Sequence, residues 1–296
     1  MSNNSNPSNE SSDQVVETQL TELLGEIETI LGGDVLTIVA PIMDGIDDLI
    51  RYSVEELSEK KKKQKLVVIL ETGGGYIETA ERIVNTFRQF YRSVEFVIPD
   101  RAMSAGTVIV LSGDAIHMDY YSVLGPVDPQ IELKGQLVPA LGYLAAYQEI
   151  IDKSRKNELA EAELHFLLDS FDPAELHMYK QAKYLTVSLL KEWLVKYKFK
   201  DWKMTETRKT KVTIPMKRKR AEEIADSLNK IETWGSHGRG ISMDVLRKKL
   251  KLKIDDFGQK EDLSGAITNY NKLLRDYSRR TRRPVIIHSK LSFHPA

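Results

Sequence analysis

The chain has 296 residues with 43 basic and 43 acidic side chains, so its formal net charge is zero and overall electrostatics give no reason to expect nucleic acid as a partner. Hydrophobic residues make up 41% and charged residues 29%, the make-up of a globular protein. With no cysteine there is no disulfide framework, no thiolate nucleophile and no cysteine-held metal. No run approaches the ~18 apolar residues needed to span a bilayer, and MSNNSNPSNESSDQ lacks the basic start and apolar stretch of a signal peptide. A cytoplasmic protein without a membrane span is therefore expected, with residues 1–18 as a disordered Asn/Ser-rich tail.

In chain order, apolar residues at helical spacing (Leu20, Leu23, Leu24, Ile27, Ile30, Leu31) predict an amphipathic helix over 15–31, stopped by Gly32-Gly33. Short apolar runs at 35–39 and 66–70 predict strands on either side of a helix over 45–60. The lysines at 60–63 suit a solvated helix C-terminus. Strand, glycine turn and helix then recur: 66–70, Thr72-Gly73-Gly74-Gly75, a helix over 76–90 and a strand over 94–98. A second turn, an apolar helix over 103–111 and a strand over 115–118 follow. Such βα repetition predicts a largely parallel sheet whose right-handed crossovers put both turns at its carboxyl edge. Past Pro139 come helices over 143–153, 159–168, 173–184 and 187–197. A polar Lys/Arg/Thr-rich linker covers 198–220, then helices are predicted over 221–231 and 243–251, and residues 279–283 read as a frayed basic terminus.

Two turns can carry chemistry. Glu71-Thr72-Gly73-Gly74-Gly75 can aim backbone N–H groups into a cleft beside a helix N-terminus, or it is a plain tight turn. Neither G-x-x-x-x-G-K-[ST] nor G-x-G-x-x-G is present, so no phosphate loop is indicated. One βα unit later, Ser104 in Met103-Ser104-Ala105-Gly106-Thr107 sits at the next helix N-terminus, with small neighbours that leave its hydroxyl accessible, or it is an N-cap. The three histidines His117, His165 and His177 have no metal-ligand spacing. The basic stretches at 217–220, 247–249 and 279–283 are diluted by acidic neighbours and read as solvated helix faces, so nucleic acid is not an expected partner.

The segments VVILETGGGYIETAERI, DRAMSAGTVIVLSGDAIHMD and SVLGPVDPQI, with SHGRGIS further on, resemble the Clp protease/crotonase superfamily, specifically its signal peptide peptidase A-like branch of serine dehydrogenase proteinases. The likeness spans most of residues 20–260. It implies an α/β Clp/crotonase-like core of repeated βα units over 19–197 and a mainly helical C-terminal extension over 198–296. It also implies a serine peptidase working through an acyl-enzyme on Ser104, with the N–H groups of Gly74 and Ala105 as the oxyanion hole. The G-x-S-x-G elbow is absent, since Ala102 stands two residues before Ser104.

Where a Clp-type triad has its histidine this chain has Asp128, a poor base at an ordinary carboxylate pKa and better read as lining the site. A Ser/Lys dyad, implied by the likeness to signal peptide peptidases, would draw on Lys153 or Lys156, each also readable as a surface lysine. His237, between small residues, is the third candidate base. A triad acid would fall at Asp169, while Asp172 before Pro173 reads as an N-cap. No cofactor or metal is expected. The partners implied are a peptide or protein substrate and further copies of the chain in a homo-oligomer. A silent Clp-like scaffold and a crotonase-like acyl-CoA enzyme are the competing readings.

Overall fold

The computed structural model describes residues 11–60, 63–127, 130–133, 136–230, 234–236 and 238–296. Helix α1 (Ser12–Leu31) begins on a capping box. The Gln14 N–H donates to the Ser11 hydroxyl (3.3 Å) and the Ser11 N–H to the Gln14 side chain (2.8 Å). It ends at Gly32, whose left-handed φ of 66° closes the last turn. There follow β1 (Asp34–Val39), α2 (Ile46–Lys60), β2 (Lys65–Glu71), α3 (Ile77–Phe90), β3 (Ser93–Val97), β4 (Arg101–Ala102), α4 (Ala105–Leu111), β5 (Ala115–Met118) and β6 (Val123–Leu124). Apart from β4 and β6, which were not expected, these match the expected elements to within a few residues, and α1 begins at Ser12, inside the segment expected as a disordered tail, because its capping box starts the helix early.

With β10 (Asp255–Asp256), β11 (Ile286–Ser289) and β12 (Phe293–Pro295) from later in the chain, the main sheet has the order β10-β5-β3-β2-β1-β11-β12. Strands β1, β2, β3, β5 and β10 run parallel, as the crossovers require. Alternate residues of its central strands enter opposite layers. Leu36, Ile38, Val68 and Leu70 join the larger core with Ile50, Val54 and Phe87 of α2 and α3. Val35, Val67, Ile69 and Val97 join the second core with Leu20 and Leu24 of α1. Each fully buried aliphatic side chain there contributes about 1.5–3 kcal/mol, so the sheet is held from both faces.

After Leu124 the chain forms the hairpin β7 (Gln130–Leu133) and β8 (Gln136–Pro139). It then enters the helices α5 (Ala140–Arg155), α6 (Glu161–Ser170) and α7 (Pro173–Trp193). The two helices expected over 173–197 are one: α7 runs through to a single π-helical turn, Leu194–Lys198. Asp172 caps it, its carboxylate accepting the Ala174 N–H at 2.6 Å with Pro173 at the first position.

The last hundred residues depart most from expectation. Helix α8 (Ile214–Leu228) absorbs part of the supposed linker, and β9 (Ile241–Ser242) leads into the short α9 (Met243–Lys248). Strand β10 (Asp255–Asp256) then joins β5. The terminus is ordered into α10 (Glu261–Thr281), β11 (Ile286–Ser289) and β12 (Phe293–Pro295), and β11 pairs antiparallel with β1. The boundary expected at 197/198 therefore does not coincide with a break in the sheet. The C-terminal part remains largely helical, but its strands complete both edges of the core, and α10 lies along α1 with Tyr270, Leu274 and Tyr277 in the second core.

A buried ionic node ties this part to the sheet. Asp114 accepts from Arg88 (2.8 Å) and from the Val94 N–H (2.8 Å) and forms an ion pair with Lys200. Burial alone would raise its pKa, but Lys200, the amide and Arg88 outweigh that and hold the carboxyl below the usual range. Asp114→Asn leaves the nearly buried Arg88 guanidinium without its counter-charge and is expected to destabilise the fold by about 3 kcal/mol. Urea unfolding checks this, and a loss under about 1 kcal/mol would contradict the account.

Candidate active site

The glycine turn and the serine turn meet because β2 and β4 continue past their ends as a short parallel ladder. Thr72 pairs with Ala102: the Thr72 N–H donates to the Arg101 carbonyl (3.0 Å) and the Met103 N–H to the Thr72 carbonyl (3.0 Å). The next residues, Gly74 and Ser104, are thereby brought side by side at the carboxyl ends of the parallel strands. Gly74 has φ 101°, and a Cβ on it would lie 2.7 Å from Ser104 Cβ, 2.9 Å from the Met103 carbonyl and 3.4 Å from Ser104 Oγ. On the other side Gly75, at φ 151°, sits where a Cβ would lie 2.0 Å from the Ile42 carbonyl oxygen. Only glycine fits at either place.

Ser104 itself has φ 51° and ψ −119°, an unfavourable backbone for a residue with a Cβ. Such a conformation stores roughly 1–3 kcal/mol, sustained only because neighbouring contacts over-determine it. The expected N-cap role is not what the hydroxyl does: it makes no side-chain cap hydrogen bond to α4. The residue is 1% exposed. The Ala105 N–H, the first amide of α4, has no main-chain acceptor among the described residues. The Gly74 N–H already donates to the Thr72 hydroxyl at 3.1 Å, so an incoming oxyanion would have to share or displace that contact.

Residues the sequence reading passed over pack this site. The Thr72 methyl fills the space beside Gly106, where a Cβ would lie 2.3 Å away. The Thr107 hydroxyl donates to the Ala102 carbonyl (2.8 Å) and accepts the Gly125 N–H (2.9 Å), locking the chain after β6 against α4. Their signal was present in the small-residue runs T-G-G-G and S-A-G-T, where a β-branched hydroxyl residue flanks the glycines.

A second, three-stranded sheet organises the far side. Strand β6 pairs parallel with β4 and antiparallel with β9, with Leu124 opposite both Ala102 and Ile241. Residues just ahead of β9 therefore run beside those just after β4 and β6. Gly240 touches Val123, where a Cβ would come within 2.9 Å, and the Val127 N–H donates to the Leu228 carbonyl (3.0 Å). Asp128 and His237 lie outside the described residues, next to these contacts in the chain.

The lysine candidates are placed differently. Lys153 on α5 pairs with Glu163 of α6 at 2.7 Å and with Glu149 at 3.4 Å, and the hydrogen bond it donates to Glu163 raises its pKa. That is the reverse of the neutral amine a Ser/Lys dyad needs. Lys156 and Asp169 are exposed, the latter on α6. Among the described residues no group of three His, Asp or Glu is placed to hold a metal ion, and no helix is long and apolar enough to cross a membrane.

A sequence model of the family described as "ClpP-like SDH-type serine proteinase" matches residues 54–210. Among curated proteins, the uncharacterized protein MJ1495 of Methanocaldococcus jannaschii is 36% identical over 125 residues, covering 42% of this chain and 38% of the relative. The uncharacterized protein MJ0137 of the same organism is 34% identical over 103 residues, 35% of each. The chain thus spans little more than a third of the length of the curated relatives it matches. Among solved structures, a mutant of the 1510-N membrane-bound stomatin-specific protease aligns with TM-score 0.43 and 12% identity, over 74% of this chain and 76% of that one. ClpP1 from Listeria monocytogenes aligns with TM-score 0.43 and 10% identity, over 83% and 98%.

Proposed function

The chain belongs to the ClpP-like SDH-type serine proteinases, and from that premise we propose that it is a serine peptidase that cleaves peptide bonds through an acyl-enzyme on Ser104. The observation that carries this reading is the pairing of two backbone conformations: a serine at φ 51° and a glycine at φ 101°, in contact across one short ladder.

In the proposed reaction Ser104 Oγ attacks the substrate carbonyl carbon while its proton passes to a base. The carbonyl oxygen, now negative, is met by the Ala105 N–H and by the Gly74 N–H as it turns from Thr72. Each such donor is worth about 3–4 kcal/mol to the transition state. The base returns the proton to the leaving amine, and a water then repeats the sequence to release the acyl group and restore the hydroxyl.

His237 is the proposed base. It precedes β9 by a few residues, and β9 is built into the sheet that carries Ser104, whereas Lys153 is held charged by its carboxylates. Asp128, directly after Val127, is proposed to line the site. Asp169, exposed on α6, has no support as a third triad member. With Ser104 nearly buried in the single chain, substrate entry needs a local rearrangement; a homo-oligomer is proposed as the working form on the family likeness alone.

A fluorophosphonate probe tests the assignment. It is expected to label Ser104 covalently in the intact protein, and His237→Gln is expected to slow labelling by about 10³-fold or more without unfolding the chain. A folded protein left unlabelled, with no peptide cleaved, would favour the silent scaffold instead.

A further inference from the structure

The segment that the sequence offered as a solvated basic linker wraps a cavity of about 740 Å³. It lies at the amino ends of the parallel strands, since Asp114 on its wall immediately precedes β5. The Ser104 site lies at the carboxyl ends, so the two are on opposite edges of the sheet. Lys198, on the π-helical turn that ends α7, faces this cavity together with Lys251, Lys253 and Arg208. None of these four cations has a carboxylate within ion-pairing distance among the described residues. An aromatic wall adjoins them: Trp202, half-buried, packs against Phe199 with ring centroids 5.6 Å apart and the planes tilted by 58°.

The lining carries six cationic side chains against three carboxylates, Asp114, Asp201 and Glu206, so this open-mouthed cavity keeps a net positive charge in a chain whose total charge is zero. An anion bound there relieves that excess. Lys198 is half-buried, and that burial, more than the neighbouring charges, draws its ammonium down to about 8. The charged groups that face it are Asp255, Asp114 and Glu95, which favour the charged form, and Lys253, which opposes it. A π-helical turn at such a point is a further mark of a site retained for use.

We propose that this cavity binds a nucleotide-sized phosphate ester, its phosphates on Lys198, Lys251 and Lys253 and its ring against Trp202. Lysine ammonium groups serve phosphate as point charges, and an indole face supplies sequence-tolerant stacking for a planar base. The inference does not rest on the peptidase reading, since none of these residues belongs to the Ser104 site.

Isothermal titration calorimetry on the full chain at low salt tests it, with ADP, inorganic pyrophosphate and adenosine as probes. ADP is expected to bind in the micromolar range, pyrophosphate more weakly, and adenosine without measurable heat. Lys198→Met is expected to weaken ADP by about tenfold or more and Trp202→Leu by about fivefold. The exposed Lys253→Gln serves as a second cation variant that leaves the core untouched. Above about pH 8 the empty site has lost its Lys198 proton, so ADP affinity should fall by up to about tenfold per pH unit there. The proposal is overturned by no heat from ADP at about 1 mM, by adenosine binding as well as ADP, or by affinity unchanged in both lysine variants.

Discussion

Ser104→Ala is expected to leave a folded chain that no longer hydrolyses peptides, with kcat lowered by about 10⁵- to 10⁶-fold. The substitution removes the attacking oxygen and nothing else, because alanine keeps the Cβ that rests against Gly74. Gly74→Ala should be nearly as damaging by another route. Its methyl would have to enter a space 2.7 Å from Ser104 Cβ and 2.9 Å from the Met103 carbonyl, at a φ of 101° that a side chain rarely adopts. The turn would shift, and with it any amide aimed at the oxyanion, for a loss of at least 10²- to 10³-fold. Ser104→Gly separates strain from chemistry: it should be equally inactive yet more stable than Ser104→Ala by about 1 kcal/mol, because glycine relaxes at φ 51°. Kinetics on a quenched peptide and urea unfolding read both quantities. Residual activity in Ser104→Ala above one thousandth of wild type would rule out the acyl-enzyme on this residue.

The second large effect is on acid stability. His288 on β11 is fully buried, with its Nδ1 2.8 Å from the Tyr270 hydroxyl, which donates to Thr37 at 2.8 Å, and its ring edge-on to Phe293. Burial draws the imidazole down from 6.5 to about 3, so the folded chain holds it neutral where the unfolded chain protonates it. Stability from this group is present above pH 6.5 and is lost as pH falls toward 3, by about 1.4 kcal/mol per pH unit. Between pH 7 and pH 4.5 that amounts to about 3 kcal/mol. His288→Asn should be weaker at pH 7 but should lose less on acidification, since it has no proton to take up. Wild-type and variant curves of equal slope over this range would show that the ring does not govern the acid limit.

The elements from α1 to β5, the two-residue β4 apart, were legible because their signals are local. Gly32-Gly33 ends α1 and Gly73-Gly74-Gly75 follows β2, and short apolar runs alternate with helical stripes. The contact between the glycine turn and Ser104 was legible from the βα repeat, which forces both turns to one edge. The strain at Ser104 was not, because φ 51° is imposed by the Thr72–Ala102 ladder and not by any preference of serine. Helix α10 was missed although Leu263, Ile267, Tyr270, Leu274 and Tyr277 mark a buried stripe, since the arginines at 279–283 drew the eye to a basic tail. Two-residue strands such as β6 and β9 have no periodicity to read. Their pairing joins Leu124 to Ile241 across more than a hundred residues, a closure no local pattern announces.

The position of β9 and β11 late in the chain has a bearing on synthesis. The ribosome delivers Ser104 and the glycine turn well over a hundred residues ahead of the strands β9 and β11 that finish their two sheets. A nascent chain therefore exposes the Ser104 turn well before the strands that complete the two sheets around it, and a fragment interrupted ahead of Ile241 holds that turn in a half-built frame.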